Sequence, residues 1–282
     1  MATDINRTTS IALPGEVSSE ILQKTQESSA VMSLAQPIKL PGLGVTIPVI
    51  TGDPEAAWVA ETAKKPVKRG TLDTKIMQPY TLAVIVPFSN QFRRDVPALY
   101  KQLVSRLPLA LAQKFDATVF GGVTAPGSNF DTLKSCTAQE IGTDAYAGLV
   151  AADADIAEHN GILNGWVLSP KGKALLLNAV DGNKRPLLQP DPTGSTGKLL
   201  FGRGITVVSN GILKTATSKA PIYFGDFTQY ATLFRRQPLE IASTDIGGNA
   251  WKTNSTEVRA ITRLDAQVFD SEAATAVSLT IA

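Results

Sequence analysis

Thr81-Leu-Ala-Val-Ile-Val-Pro87 leads within a few residues into Asp95-Val-Pro97, and the chain then runs without a glycine to Gly121-Gly122. The first segment is apolar at both odd and even positions, which predicts a strand buried on both faces. Ser89 is placed to cap a short helix through Arg94. Asp95 then stands where an N-cap belongs, with Pro97 in the first turn, where a missing N–H costs nothing. A long helix is predicted from there to about Val119, with Leu99, Leu103, Leu107, Leu111 and Phe115 as its apolar stripe. Pro108 should bend it, and Gly121-Gly122 should end it.

Upstream, residues 45–80 read as a long hairpin. Val45, Ile47 and Val49 alternate with Thr46 and Pro48, the pattern of a half-exposed strand. A charged tip follows Trp58 and includes Glu61, Lys64, Lys65, Lys68 and Arg69. Solvated charge runs are common at such tips, but a tryptophan beside one leaves apolar surface in water unless a partner covers it. Residues 1–44 read as an arm: a short helix from Glu16 to about Ser29, then chain kept extended by Pro37, Pro41, Gly42 and Gly44. An arm this polar depends on other surfaces for its order.

Downstream, residues 123–135 form a loop, and 136–235 read as an α/β unit inserted into the rest. Helices are predicted over 143–159 and 170–178, strands over 166–169, 205–209 and 222–224, and a Gly- and Pro-rich loop over 181–204. From Tyr230 the pattern is β. Val258, Ala260, Leu264, Ala266 and Val268 fall on one face of a strand, and Glu257, Arg259, Arg263, Asp265 and Gln267 on the other. The class is α+β.

Composition narrows the function. With 43% apolar and 18% charged residues over 282 positions, the chain is globular. A net charge of +2 with no basic tail leaves only diffuse, weak contact with nucleic acid. One cysteine, Cys136, excludes an internal disulfide. No apolar run approaches a membrane span.

Chemistry finds few footholds. The single histidine, His159, lies at a helix end, where the dipole favours it. No Gly-x-Ser-x-Gly elbow accompanies any serine, and zinc lacks its Cys and His ligands. Gly194-Ser-Thr-Gly197-Lys198-Leu199 has two residues between its glycines where a phosphate loop needs four, and a leucine where it needs Ser or Thr. Gly202-Arg-Gly204 enters a strand rather than a helix. Asp153 and Asp155, two apart on a helix, face different sides and lack a calcium-loop pattern. No catalytic, cofactor or metal residue is assigned.

Several segments in order then carry a resemblance. They are Leu13-Pro14-Gly-Glu16, Ala57-Trp58-Val59-Ala-Glu61, Leu82 to Ser89 with Arg94-Asp95, and Ala110-Leu-Ala112 with Asp116 and Phe120-Gly121-Gly122. Further on stand Tyr223-Phe-Gly225-Asp226-Phe227 with Tyr230 and Arg235-Arg236, and Glu257-Val-Arg259-Ala-Ile-Thr-Arg263-Leu-Asp265. The set resembles the tailed-bacteriophage major capsid family, the Hong-Kong-ninety-seven-type shell fold. That resemblance implies an N-terminal arm (1–44), an extended loop (45–80), a peripheral domain with a spine helix (81–135), an axial domain (136–235) and a C-terminal β part of the peripheral domain (236–282). It implies hexamers and pentamers closing into an icosahedral shell around double-stranded DNA, with scaffolding, portal and decoration proteins as possible partners and no membrane.

Trp58, Glu61, Lys64, Lys65, Lys68 and Arg69 are the expected inter-subunit contacts. Asp95, Asp116, Gly225, Asp226, Arg235, Arg236, Arg259 and Arg263 are the expected structural motif positions. Some relatives cross-link a hairpin lysine to an asparagine, and Asn249 and Asn254 are the amides available here, with no motif to assign the roles. The alternatives are an encapsulin shell of the same fold and, in another class, a soluble α/β hydrolase or nucleotide-binding enzyme.

Overall fold

A computed structural model describes residues 29–35, 37–40, 44–52, 56–61, 64–65, 67, 69–135, 138–141, 145–159, 161–180, 199–200, 202–208, 212–213, 219–227, 231–268 and 274–280. The predicted arm helix, Lys68, Cys136 and the Gly194 segment lie outside them.

Two sheets carry the fold. The first has four strands in the order β1-β10-β11-β4, where β1 is Pro37–Lys39, β4 is Tyr80–Ser89, β10 is Ala231–Thr244 and β11 is Ser255–Val268. The second has six in the order β5-β12-β9-β6-β8-β7: Ala138–Ile141, Ala274–Thr280, Lys219–Gly225, Gly165–Leu168, Arg203–Val207 and Leu199–Leu200. Among the described residues, the strands β2 (Val45–Gly52) and β3 (Thr71–Met77) pair only with each other. Among the described residues the helices are α1 (Ala30–Leu34), α2 (Asn90–Asp95), α3 (Pro97–Val119), α4 (Ala145–Glu158), α5 (Pro170–Leu177) and α6 (Ala250–Thr253).

The sequence division placed 236–282 in one unit. The pairing divides it differently: β12 joins the six-stranded sheet between β5 and β9, and β10 begins before residue 236. Alternation alone does not say which sheet a strand enters.

Helix α3 lies on the four-stranded sheet. Val104, Leu107 and Leu111 pack with Phe88, Leu239, Ile241, Val258 and Ala260. Three expectations for this region are corrected. Asp95 is the last residue of α2, not a cap. Val96 occupies the N-cap of α3 without a side-chain bond, and Pro97 is the first helical residue. The buried stripe is shifted by one residue in its first turns, with Val104 buried and Leu103 exposed. Strand β4 is not buried on both faces: Ile85 is 55% exposed, and among the described residues nothing packs over it on the side of the sheet opposite α3. The helix continues through Pro108, whose missing N–H leaves the Val104 carbonyl without its usual partner.

The six-stranded sheet is covered by α4 and α5. Leu149, Ala152 and Ile156 of α4 and Leu176 of α5 meet Trp166, Leu168, Ile222 and Phe224, with Trp166 and Phe224 ring centroids 4.9 Å apart. Ser169 caps α5 by accepting from the Gly172 N–H at 3.0 Å. A third cluster joins the two units, bringing α1 and the end of α3 together with Phe130, Leu133, Val167, Val208, Phe227 and Leu264. The Tyr223 hydroxyl crosses the same boundary and donates to the Phe120 carbonyl at 2.9 Å.

The spine helix stops at Gly121. Its φ of +72° is open to glycine, and a Cβ built there would lie 2.5 Å from Cβ of Lys134. Three residues before the last residue of the helix, Val119, Asp116 is fully buried and takes in the start of α1. Its Oδ1 accepts from Ser29 Oγ at 2.6 Å, and its Oδ2 accepts from the Ala30 N–H at 2.8 Å. Ser29 in turn accepts from the Met32 N–H. Burial pushes the Asp116 carboxyl up to about 6, opposed by these bonds.

Two outcomes follow. Gly121→Ala should lower stability by about 1–3 kcal/mol, from strained φ and the Lys134 clash; an unchanged urea midpoint would count against this account of the helix stop. For Asp116, a raised folded-state pKa means the folded chain holds a proton that the unfolded chain releases between pH about 4 and 6, so this group's contribution falls as pH rises through that window and is level above it. Asp116→Asn cannot titrate and leaves one donor without its acceptor. It should be the less stable form at pH 4, with the gap to wild type narrowing by up to roughly 3 kcal/mol by pH 7. Urea unfolding at several pH values reads this, and a gap independent of pH would refute it.

Candidate functional site

The chain's most unusual surface is the end of the β2–β3 hairpin. Its strands pair from Val45↔Met77 to Gly52↔Thr71, with a register irregularity between Ile50 and Gly52. Seven residues of β3 span about 23 Å, so the tip stands well away from its base. There Trp58 is fully exposed, and Val67, Lys64, Lys65, Glu61 and Arg69 are exposed. Along the strands Ile50 and Leu72 are exposed too. An isolated two-stranded ribbon is marginal in water, and this one buries Met77 against Leu40 and Ile47 at its base while Ile50, Leu72 and Ile76 stay exposed.

Its base, by contrast, is tied down. Lys75 donates to the Asp131 carboxylate and to the Val268 carbonyl. Asp131 also accepts from the Val268 N–H at 3.2 Å, and its own N–H donates to the Ala266 carbonyl at 3.0 Å. The Gln78 N–H donates to Asp265 at 3.1 Å. Asp265 also accepts from the Ala266 N–H and from Gln267, whose amide donates again to the Asn129 carbonyl. Asp265 and Gln267 are therefore buried, not solvated as the alternation of β11 suggested. The first half of that face is open, but the hairpin base and the 129–131 loop cover the second half. Burial, with the nearby Asp131 charge, raises the Asp265 carboxyl to about 6 against three favourable hydrogen bonds.

The remaining motif positions fall in three places. Gly225 has φ +152°, a glycine conformation, at the end of β9. Next to it, buried Asp226 accepts from the Asn164 side-chain amide at 2.7 Å, while Asn164 Oδ1 accepts from the Phe227 N–H and the Asn164 N–H donates to the Gly225 carbonyl. Asn164 thus brackets all three residues of the Gly-Asp-Phe motif, and nothing in its sequence context marked it. Arg235 pairs at the backbone with Lys39 and Leu264, and the register shifts at Arg236. Arg259 and Arg263 are exposed on the open face of the four-stranded sheet, opposite Ile85 and Thr81. Asp95 is exposed.

Other surfaces offer less chemistry. An apolar cleft of about 120 Å³ lies between β4, α3 and the 124–130 loop, lined by Tyr80, Leu82, Phe115, Phe130 and Leu264, with Lys114 at its rim. The His159 ring nitrogen meets the Asp155 carbonyl at 2.8 Å at the end of α4. Among the described residues there is no group of three or more His, Cys, Asp or Glu placed to hold a metal, and no helix long and apolar enough to cross a membrane.

Comparisons with known proteins agree with this geometry. The chain is 27% identical over 235 residues to the probable major capsid protein gp17 of Mycobacterium phage L5, covering 77% of this chain and 70% of that one. It is 24% identical over 229 residues to the protein of the same name from Mycobacterium phage D29, with the same coverage. Among solved structures, a chain from Microbacterium phage Oxtober96 superposes with a TM-score of 0.75 at 19% identity, covering 90% of this chain and 91% of its own. A chain from the capsid of the native GTA particle superposes with a TM-score of 0.70 at 17% identity, over 98% and 95%. The profile of the phage capsid family matches residues 9–279, and the chain belongs to that family.

Proposed function

We propose that this chain is the major capsid protein of a tailed bacteriophage, a structural subunit that assembles into hexamers and pentamers of an icosahedral shell enclosing double-stranded DNA. The observation that carries the reading is the hairpin: a ribbon fixed at its base and bare at its tip, where Trp58 is fully exposed. A tip that leaves apolar surface in water in a single chain is suited to overlapping a neighbour. Family membership and the named relatives support the same reading.

In this reading, the four-stranded sheet with α3 is the peripheral unit and the six-stranded sheet with α4 and α5 is the axial unit. Glu61, Lys64, Lys65, Lys68 and Arg69 accompany Trp58 as contact residues. Asp226, Asn164 and Gly225 hold the junction between the two units. Packaged DNA is met weakly and without sequence preference, consistent with the net charge of +2. Scaffolding, portal and decoration proteins are the further partners of such a shell.

Electron microscopy of the expressed chain, with a nuclease-protection assay on the same fraction, tests this. Closed shells or capsomer rings are expected, and uniform small monomers would refute the reading; protected DNA in particles from phage separates it from a compartment with protein cargo. Trp58→Ala should reduce the assembled fraction about tenfold or more while shifting subunit stability by less than about 0.5 kcal/mol, since surface truncations cost little in the isolated chain. Loss of folding, or normal assembly, would contradict the role given to Trp58.

A further inference from the structure

The spine helix presents one sign of charge to its surroundings. From Asn90 to Val119, α2 and α3 hold five Lys or Arg (Arg93, Arg94, Lys101, Arg106 and Lys114) against two acids, Asp95 and Asp116, a local excess larger than the +2 of the whole chain. Asp116 is buried and bound to Ser29 and Ala30, so it offers nothing to the surface. Within α3, Lys101, Arg106 and Lys114 are all exposed, and none has an acid three or four residues away on either side. Among the described residues none of the three is ion-paired. A helix face that meets only water usually intersperses both signs and pairs them at that spacing. Here the neutral hydrogen-bonding groups of Gln102, Ser105 and Gln113 stand between the cations instead.

The opposite side of α3 is spent on the sheet, through Val104, Leu107 and Leu111. With that side inward, 3.6 residues per turn put Arg106 near the middle of the outward side and Lys101 and Lys114 on its two flanks. The three cations are spread over about 20 Å of a helix about 34 Å long. A polyanion laid on this side meets a cation at each edge and one between, and the helix is about as long as one turn of B-form DNA. Long flexible stems let each cation reach a phosphate without a fixed register.

The other charged surfaces are mixed, short or acidic. Arg259 and Arg263, on the open face of the four-stranded sheet, share it with Glu257, with the exposed Glu240 and with Ile85. The hairpin tip combines Glu61 with its cations, and Lys171 and Lys173 sit on α5, which has only eight residues. Helix α4 contains no Lys or Arg and exposes Asp153 and Glu158, which repel phosphate.

We infer that the outward side of α3 is the surface on which the enclosed duplex rests, with Lys101, Arg106 and Lys114 contacting its phosphates. Such contact is blind to base sequence and weakens as salt rises. Three contacts are weak in one subunit, but the same row recurs in every subunit of a shell. The inference rests on the shell reading above and names the residues that its DNA meets.

Two experiments on the full chain test it. A photo-cross-linking amino acid placed at position 106 should, in DNA-filled particles under ultraviolet light, give protein–DNA adducts about tenfold more abundant than the same group placed at position 259. In parallel, the slope of log binding constant against log salt for a short mixed-sequence duplex should fall by about 2–3 in K101Q/R106Q/K114Q and stay at the wild-type value in R259Q/R263Q. Adducts as abundant from position 259 as from 106 overturn the inference, and so does a wild-type slope in the helix variant or an equal loss in the sheet variant. If urea unfolding shows the helix variant to be unfolded, the adduct ratio alone decides. Wild-type chain that never associates would overturn the shell reading and this inference with it; chain that assembles but fails either test overturns this inference alone.

Discussion

The far end of β11 is where the molecule is held together. Four stretches of chain distant in sequence arrive there: the hairpin base at Lys75 and Gln78, the loop at Asn129 and Asp131, β10 alongside, and β11 itself. On one face Leu264, Ala266 and Val268 pack with Phe130 and Leu133, while the contacts with the hairpin base are polar and directed. That matters because a hydrophobic patch would hold a ribbon against the body without fixing its angle, whereas a lysine bonded to both a carboxylate and a backbone carbonyl fixes direction as well as position. A two-stranded ribbon about 23 Å long acts as a lever, so a small error of angle at its base would become a displacement of several ångströms at its tip.

The same device recurs where α1 meets the spine helix. Asp116 meets the start of α1 as Asp265 meets the end of the hairpin: a fully buried carboxyl that accepts backbone N–H groups from a segment far away in sequence. Burying a carboxylate is costly, and the raised pKa values of both groups record that cost. Each also satisfies a donor at a segment end that would otherwise be orphaned. The sequence spends two expensive residues at the two places where an element must be docked in one register.

How much of this could be read beforehand depends on what each residue answers to. The long helix, its stop at Gly121, the two helices over the second sheet and the hairpin were legible, because proline, glycine and apolar period act locally. The exposed tip was legible too, since Trp58 amid lysines has no local reason to exist. Burial of Asp265 and Gln267 was not, because alternation describes one strand and says nothing of a loop that folds over half of it. Asn164 was invisible for the same reason: its value lies in three partners some sixty residues away. The place of β12 was misjudged because a seven-residue alternating strand fits either sheet equally well.

That last strand has a consequence for biosynthesis. β12 lies between β5 and β9, so the first of its neighbours is made long before the strand that joins them. While the chain is being translated, β9 has one open edge and β5 has no partner, in a sheet whose core already contains Trp166 and Phe224. The helix-covered face can form early, but the sheet cannot close until residues 274–280 have left the ribosome. A nascent chain that has not yet released residues 274–280 has no finished six-stranded unit.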